Sequence, residues 1–149
     1  MTIQERERLT REKLKHYQSI KRKIREARED IEAGQLGGHS GEPVQTSSHS
    51  DPTAKGAERL LRLAPEEEWI AAIDAALKEM RETNQDVEQI VRRHFRLDSA
   101  KGYNRKYGGR TRREIMDAQI ISEPEYYSRL ADGIKTVMIH AAERGLFKQ

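Results

Sequence analysis

The stretch Thr111–Phe147, TRREIMDAQIISEPEYYSRLADGIKTVMIHAAERGLF, decides the fold that this sequence predicts. It contains a short amphipathic segment, an apolar turn at Ile120 and Ile121, and a longer amphipathic segment after Ser122. This order of parts is typical of a helix-turn-helix, whose second helix enters the major groove of DNA. The stretch therefore predicts an all-α chain that ends in a nucleic-acid-binding motif.

Capping signals set the expected limits of the two helices. Thr111 and Glu114 have the spacing of a capping box, which predicts a first helix over 112–118. Ser122 and Glu125 have the same spacing and predict the start of the second helix. Gly145 would end that helix, so that Leu146 and Phe147 fold back on the core. Apolar spacing predicts a buried stripe on the second helix, formed by Tyr127, Leu130, Ile134, Val137, Met138 and Ala141.

The opposite face of the second helix would then meet DNA. Arg129 is the expected base-recognising residue, because a guanidinium can bond guanine through two parallel hydrogen bonds. Tyr126 and Ser128 are expected to contact phosphates or bases, and Glu123 can accept a hydrogen bond from cytosine N4. Glu123 and Glu125 also repel phosphates, which leaves open a purely structural role for the motif.

Charge is unevenly distributed along the chain. Residues 66–88 contain eight acids and two bases, whereas residues 92–113 contain nine bases and one acid. Leu97–Arg110 is predicted to be irregular, and Tyr103 and Tyr107 alternate there with basic residues. Two interpretations are open for the basic block: a phosphate-binding surface or a solvated loop. The residues expected to contact phosphates are Arg105, Lys106, Arg110, Arg112 and Arg113.

The first part of the chain predicts a long helix. Gly and Pro are absent from Thr2 to Ala33, and good helix formers dominate there, so residues 3–33 should be helical. A dimeric coiled coil and a helix packed on its own chain are both compatible with the apolar stripe. The stripe consists of Tyr17, Ile20, Ile24, Ala27 and Ile31.

The middle of the chain predicts further helices. Pro65 should restart a helix, and the apolar face that follows it includes Trp69 as a packing anchor. Thr83 or Asn84 should cap the next helix, over 85–96. The expected organisation is a possible coiled-coil helix at 1–33, a flexible Gly/Ser/His-rich linker at 34–50, and a helical DNA-binding domain at 51–149, with the helix-turn-helix at about 111–142.

Composition excludes several classes of protein. Charged residues make up 36% and hydrophobic residues 35%, which predicts a thin core, and the chain has no cysteine for disulfides or thiolate metal sites. No apolar run is long enough to span a bilayer, so a soluble, cytoplasmic protein without a membrane partner is expected. His39 and His49 lack ligand partners at metal-binding spacing. No catalytic constellation, metal site or cofactor motif is present, and an enzyme is not expected.

Three stretches together resemble the RinA/ArpU family of phage transcriptional activators, which regulate late phage genes. They are LKHYQSIKRKIREAREDI at Leu14–Ile31, SDPTAKGAERLL at Ser50–Leu61 and TRREIMDAQIISEPEYYSRLADGI at Thr111–Ile134. The resemblance implies an all-helical protein from a phage or prophage, with a C-terminal helix-turn-helix like that of sigma factors.

Carried over by position, the resemblance makes Ser122 the cap of the recognition helix. It places Tyr126, Tyr127 and Arg129 in a Tyr-Tyr-x-Arg signature. The sequence departs from the family pattern at Met116, where a small residue is usual, at Gln119, where an apolar residue is usual, and at Glu123-Pro124-Glu125. These departures put the helix packing and the DNA target in question.

Three functional hypotheses follow. The first is a transcriptional activator that binds double-stranded DNA in the host cytoplasm, at the nucleoid, and that dimerises or contacts RNA polymerase through its N-terminal helix. The second is a small terminase-like subunit that recognises DNA for packaging. The third is a helical interaction protein in which the helix-turn-helix only packs.

Overall fold

The computed structural model describes residues 1–37 and 52–148, and within them the chain is helical with no strand. The all-α class is therefore confirmed. A 3₁₀ turn, Arg105–Tyr107, precedes the sixth helix. The helices are α1 Ile3–Lys15, α2 Tyr17–Gly37, α3 Pro52–Arg62, α4 Ala64–Thr83, α5 Gln85–His94, α6 Gly108–Gln119 and α7 Glu123–Glu143.

The N-terminal helix is interrupted at His16, which corrects the expectation of one continuous helix over 3–33. No Gly or Pro lies at the break, and the two segments have different packing partners: α1 lies against α7, whereas α2 lies against α3 and α4. The second segment also extends to Gly37 rather than Ala33. From residue 38 onward, the expected flexible linker at 34–50 lies outside the described residues.

The apolar stripe of the N-terminal helices is buried within the chain itself. Tyr17, Ile20, Ile24 and Ala27 are at most 7% exposed. Gly56 allows α3 to approach closely, because a Cβ there would lie 2.8 Å from Ile31 Cγ1 and 3.2 Å from the Ala27 carbonyl oxygen. The stripe therefore packs on its own chain, and a coiled coil through the same face would require these contacts to open.

Local signals account for the limits of α4 and α5. Pro65 stands in the first turn of α4, as expected, where its missing N–H leaves no hydrogen bond unmade. The Asn84 side chain caps α5 by accepting a hydrogen bond from the Val87 N–H at 3.3 Å. α5 ends at His94, two residues before the predicted end at Arg96, whose φ of 51° cannot continue a helix.

One core joins the N-terminal and C-terminal helices. Leu14 and Tyr17 belong to the same buried cluster as residues of α4, α5 and α7. Gly133 of α7 sits where α5 crosses, and a Cβ there would lie 2.3 Å from Val91 Cγ2. Trp69 is buried and meets Phe147 edge to face at 5.6 Å, which confirms both the packing anchor and the folding back of the C-terminus.

Candidate nucleic-acid interface

The first helix of the motif begins earlier than the sequence predicts. α6 starts at Gly108, so Thr111 lies inside the helix, and the expected capping box of Thr111 and Glu114 is wrong. Glu114 instead pairs with Arg110 at 3.1 Å and with Arg93 of α5 at 2.9 Å. Gly108 and Gly109, in the stretch predicted to be irregular, are part of the helix, because glycine lowers helix stability without preventing a helix.

The turn of the motif also differs from expectation at one residue. Ile120 is 91% exposed and adopts the left-handed conformation, with φ of 55°, so it does not pack the turn. Ile121 does pack against the core. Ser122 caps α7 as predicted, because its Oγ accepts a hydrogen bond from the Glu125 N–H at 3.3 Å. Pro124 stands in the first turn of α7.

The two tyrosines of α7 have the opposite exposures to those predicted. Tyr126 is fully buried, and its hydroxyl group is hydrogen-bonded to His94 Nδ1 at 2.8 Å. Burial raises the pKa of Tyr126 to about 12. Tyr127, predicted to be in the buried stripe, is 45% exposed. The expectation that Tyr126 contacts DNA is therefore wrong, because His94, at the end of α5, supplies a partly buried polar partner that periodicity along α7 does not reveal.

His94 is a titratable residue beside the candidate site that the sequence did not single out. Burial lowers its pKa to about 4, and the charges of Arg11, Lys15 and Arg112 add to that effect. A neutral imidazole at physiological pH is compatible with its short bond to Tyr126. The only sequence signal is its place between the arginines at the end of α5 and the apolar Phe95.

Arg112 faces the start of α7. It donates a hydrogen bond to the Tyr127 hydroxyl at 2.7 Å, and its guanidinium lies 5.9 Å from the centre of that ring. The hydrogen bond to Tyr127 raises the pKa of Arg112. Glu123 lies 3.9 Å from the same guanidinium. This acid at the leading end of α7 is thus partly neutralised from within the chain.

Arg129 is held by two other helices. Its Nη1 donates to Gln119 Oε1 at 3.0 Å and lies 3.5 Å from Asp86 Oδ2 in the first turn of α5. The side chain is 32% exposed. The expected base-recognising residue is thus bonded to Gln119 of α6 and Asp86 of α5. Ser128, on the same helix as Arg129, is exposed.

An open groove of about 810 Å³ lies between the end of α5, the segment that follows it and the start of α6. Tyr103, Tyr107, Asp98 and Glu114 contribute to its lining. The aromatic rings alternate with cations, as the sequence suggested for this segment. We call it the basic groove because five cations line it: Arg92, Arg93, Arg96, Lys101 and Arg110.

The cations of the basic block fall into two groups. Arg92 pairs with Asp98, Arg93 and Arg110 both pair with Glu114, and Arg112 pairs with Glu123. The other group makes no salt bridge with any residue that the structure describes, and its members are Arg96, Lys101, Arg105, Lys106 and Arg113. The guanidinium of Arg96 lies 4.9 Å from the centre of the Tyr107 ring. Within residues 1–37 and 52–148, no carboxylate lies within 4.0 Å of these five charged groups.

No protein-family model matches this sequence, and no curated protein or solved structure matches it either. Across residues 1–37 and 52–148, no group of three or more potential metal ligands comes together. None of the described helices has the length and apolar character required to cross a membrane.

Proposed function

We propose that this protein binds double-stranded DNA and acts as a transcriptional regulator of the phage or prophage type. Its basic groove would hold backbone phosphates, and the start of α7 would enter the major groove. The observation that carries the proposal is the group of cations in and around the groove that have no carboxylate partner among the described residues. Such cations gain the most from phosphate, since no internal ion pair has to be broken first.

The order of the last helices adds support. α6, the turn and the Ser122-capped α7 follow one another as the motif requires, and α5 packs on both helices. Arg113 is exposed on α6 and has no carboxylate partner within 4.0 Å among the described residues. Arg113 therefore adds positive charge to α6, the first helix of the predicted motif.

Salt-dependent binding of duplex DNA tests this function. We expect the logarithm of the affinity to fall linearly with the logarithm of the salt concentration, with a slope of about −0.9 for each phosphate neutralised. A charge reversal in the groove, Lys101→Glu, should weaken binding and make the slope shallower. Binding that is absent, or that does not depend on salt, would eliminate the proposal.

Selection of bound sequences from a random duplex pool tests the regulatory part. A regulator should enrich a defined site, because contacts to base edges confer sequence preference whereas phosphate contacts do not. Binding to all duplexes alike would reduce the function to attachment along the DNA backbone.

A second candidate is a helical interaction protein whose helix-turn-helix serves only for packing. The burial of Tyr126 and the acids Glu123 and Glu125 in the first turn of α7 favour it, since they remove one expected contact and repel phosphate. In that case duplex binding would be absent, and Arg129→Ala would leave the protein's function intact.

A further inference from the structure

Three helices meet at the Arg129 guanidinium. Arg129 of α7 donates through Nη1 to Gln119 Oε1 of α6 at 3.0 Å. The Gln119 Nε2 donates in turn to the backbone carbonyl of Asp86 in α5 at 3.0 Å. The Asp86 carboxylate lies 3.5 Å from the same Nη1. The network is closed, because each residue contacts the other two.

Both contacts to Arg129 use a single nitrogen. Among the described residues, Nε and Nη2 have no hydrogen-bond partner, although both are donors. These two nitrogens form one edge of the guanidinium, and they can bond side by side to two acceptors. The protein thus restrains one corner of the group and leaves the bidentate edge available.

We propose that Gln119 and Asp86 are positioning residues that hold Arg129 so that its Nε–Nη2 edge recognises guanine through O6 and N7. The inference rests on the proposed DNA-binding function. A free arginine samples many rotamers and loses that freedom on binding, whereas a restrained one has already lost most of it. The restraint therefore increases preference for a guanine-containing site without adding a contact to DNA.

The network also gives the polar side chain at position 119 a structural role, since Gln119 both accepts and donates within it. An apolar side chain there would neither accept from Arg129 nor donate to the Asp86 carbonyl. The amide at this position and the arginine ten residues later therefore act as one unit.

The experiment compares two duplexes of equal length, the sequence selected from the random pool and a scrambled version of it. Gln119→Leu and Asp86→Ala should each weaken binding to the selected duplex roughly tenfold more than binding to the scrambled duplex, within the range of one bidentate base contact. Arg129→Ala should produce the same differential loss. Gln119→Leu added to Arg129→Ala should cause no further loss, because the two residues act through the same contact.

Asp117→Ala is the matched control for loss of an acid. Asp117 is exposed on α6 and lies two residues before Gln119, but it makes no salt bridge within the described residues. Its removal should change binding to the two duplexes equally. Melting temperatures show whether each variant is folded, and Asp86→Asn replaces Asp86→Ala if the latter does not fold.

Each other outcome overturns the inference in a recognisable way. Tighter binding by Asp86→Ala would mean that the network masks Arg129 instead of presenting it. Equal losses on both duplexes would mean that the network only stabilises the fold. Wild-type binding that depends on salt but shows no sequence preference would refute the positioning role and leave phosphate binding intact. Absence of any duplex binding would remove the proposed function itself.

Discussion

The basic groove and the start of α7 differ in how their charges are paired. In the groove, Arg96 and Lys101 have no carboxylate partner within 4.0 Å among the described residues, although paired cations surround them. At the start of α7, Arg129 is held by Asp86, and Glu123 lies near Arg112. The groove therefore contains cations without a carboxylate partner among the described residues. At the start of α7, by contrast, Arg129 and Glu123 lie near side chains of opposite charge within the protein.

The difference shows why charge along the sequence does not by itself identify a binding surface. Acids in the first turn of α7 stabilise the positive end of that helix dipole, and arginines in the last turn of α5 stabilise the negative end. Both charge clusters thus have a structural explanation. Ion pairing in the folded structure distinguishes a cation that can bind phosphate from one that only stabilises the fold, because a cation already bonded to a carboxylate gains less from phosphate.

The largest expected effect concerns the packing of α5, which lines the groove, against α7. Gly133→Ala would place a Cβ 2.3 Å from Val91 Cγ2 and 3.1 Å from Val87 Cγ1, so α5 and α7 must separate. We expect a loss of about 3 kcal/mol in the free energy of unfolding, measured by urea denaturation. The control is Gly109→Ala in α6, where a Cβ meets nothing within 4 Å. That variant should be neutral or slightly stabilised, and an equal loss in both would contradict the close crossing.

The next effect concerns the bond between His94 and Tyr126, which links the end of α5 to α7. The pKa of His94 is lowered to about 4 in the folded protein, so the unfolded state binds more protons between pH 6.5 and 4. Stability should therefore fall as pH drops through this window, by roughly 2–3 kcal/mol.

Thermal unfolding followed from pH 7 to pH 4 measures this loss. His94→Gln keeps a neutral hydrogen-bonding side chain but cannot titrate, so its stability should vary less over the same window. The same pH dependence in both proteins would show that His94 does not titrate with a lowered pKa.

The groove itself predicts a smaller effect that depends on pairing. Arg96→Ala should weaken duplex binding roughly tenfold near 0.1 M salt and make the salt slope shallower by about 1, because its charge has no carboxylate partner in the described part of the chain. Arg93→Ala is the matched comparison, since Arg93 lies at the same groove but pairs with Glu114 at 2.9 Å. Fluorescence anisotropy across a salt series measures both. Equal losses would remove the distinction between paired and unpaired cations.

The smallest effect lies at the turn. Ile120 is a β-branched residue in the left-handed conformation, and 91% of it is exposed. Asparagine adopts this conformation at lower cost, so Ile120→Asn should raise stability by about 1 kcal/mol, measured as a higher melting temperature. DNA affinity should stay unchanged if the turn makes no contact. A loss of affinity in the more stable variant would extend the interface from the groove to the turn.

Local chemistry in the sequence determined much of this protein. The all-α class follows from helix formers and apolar spacing, the start of α5 from Asn84, the start of α7 from Ser122, and the buried Trp69 from its place on an apolar face. Each depends on residues within one or two turns of a helix, where the spacing of side chains is set by the backbone.

Only the tertiary structure decided where neighbouring helices supply partners. The break at His16, the exchange between Tyr126 and Tyr127, and the restraint of Arg129 by Asp86 all depend on contacts between separate helices. Periodicity gives each helix a buried face but does not position the edge of that face to within one residue. At Tyr126 that edge is set by the imidazole of His94, which lies 32 residues earlier in the chain.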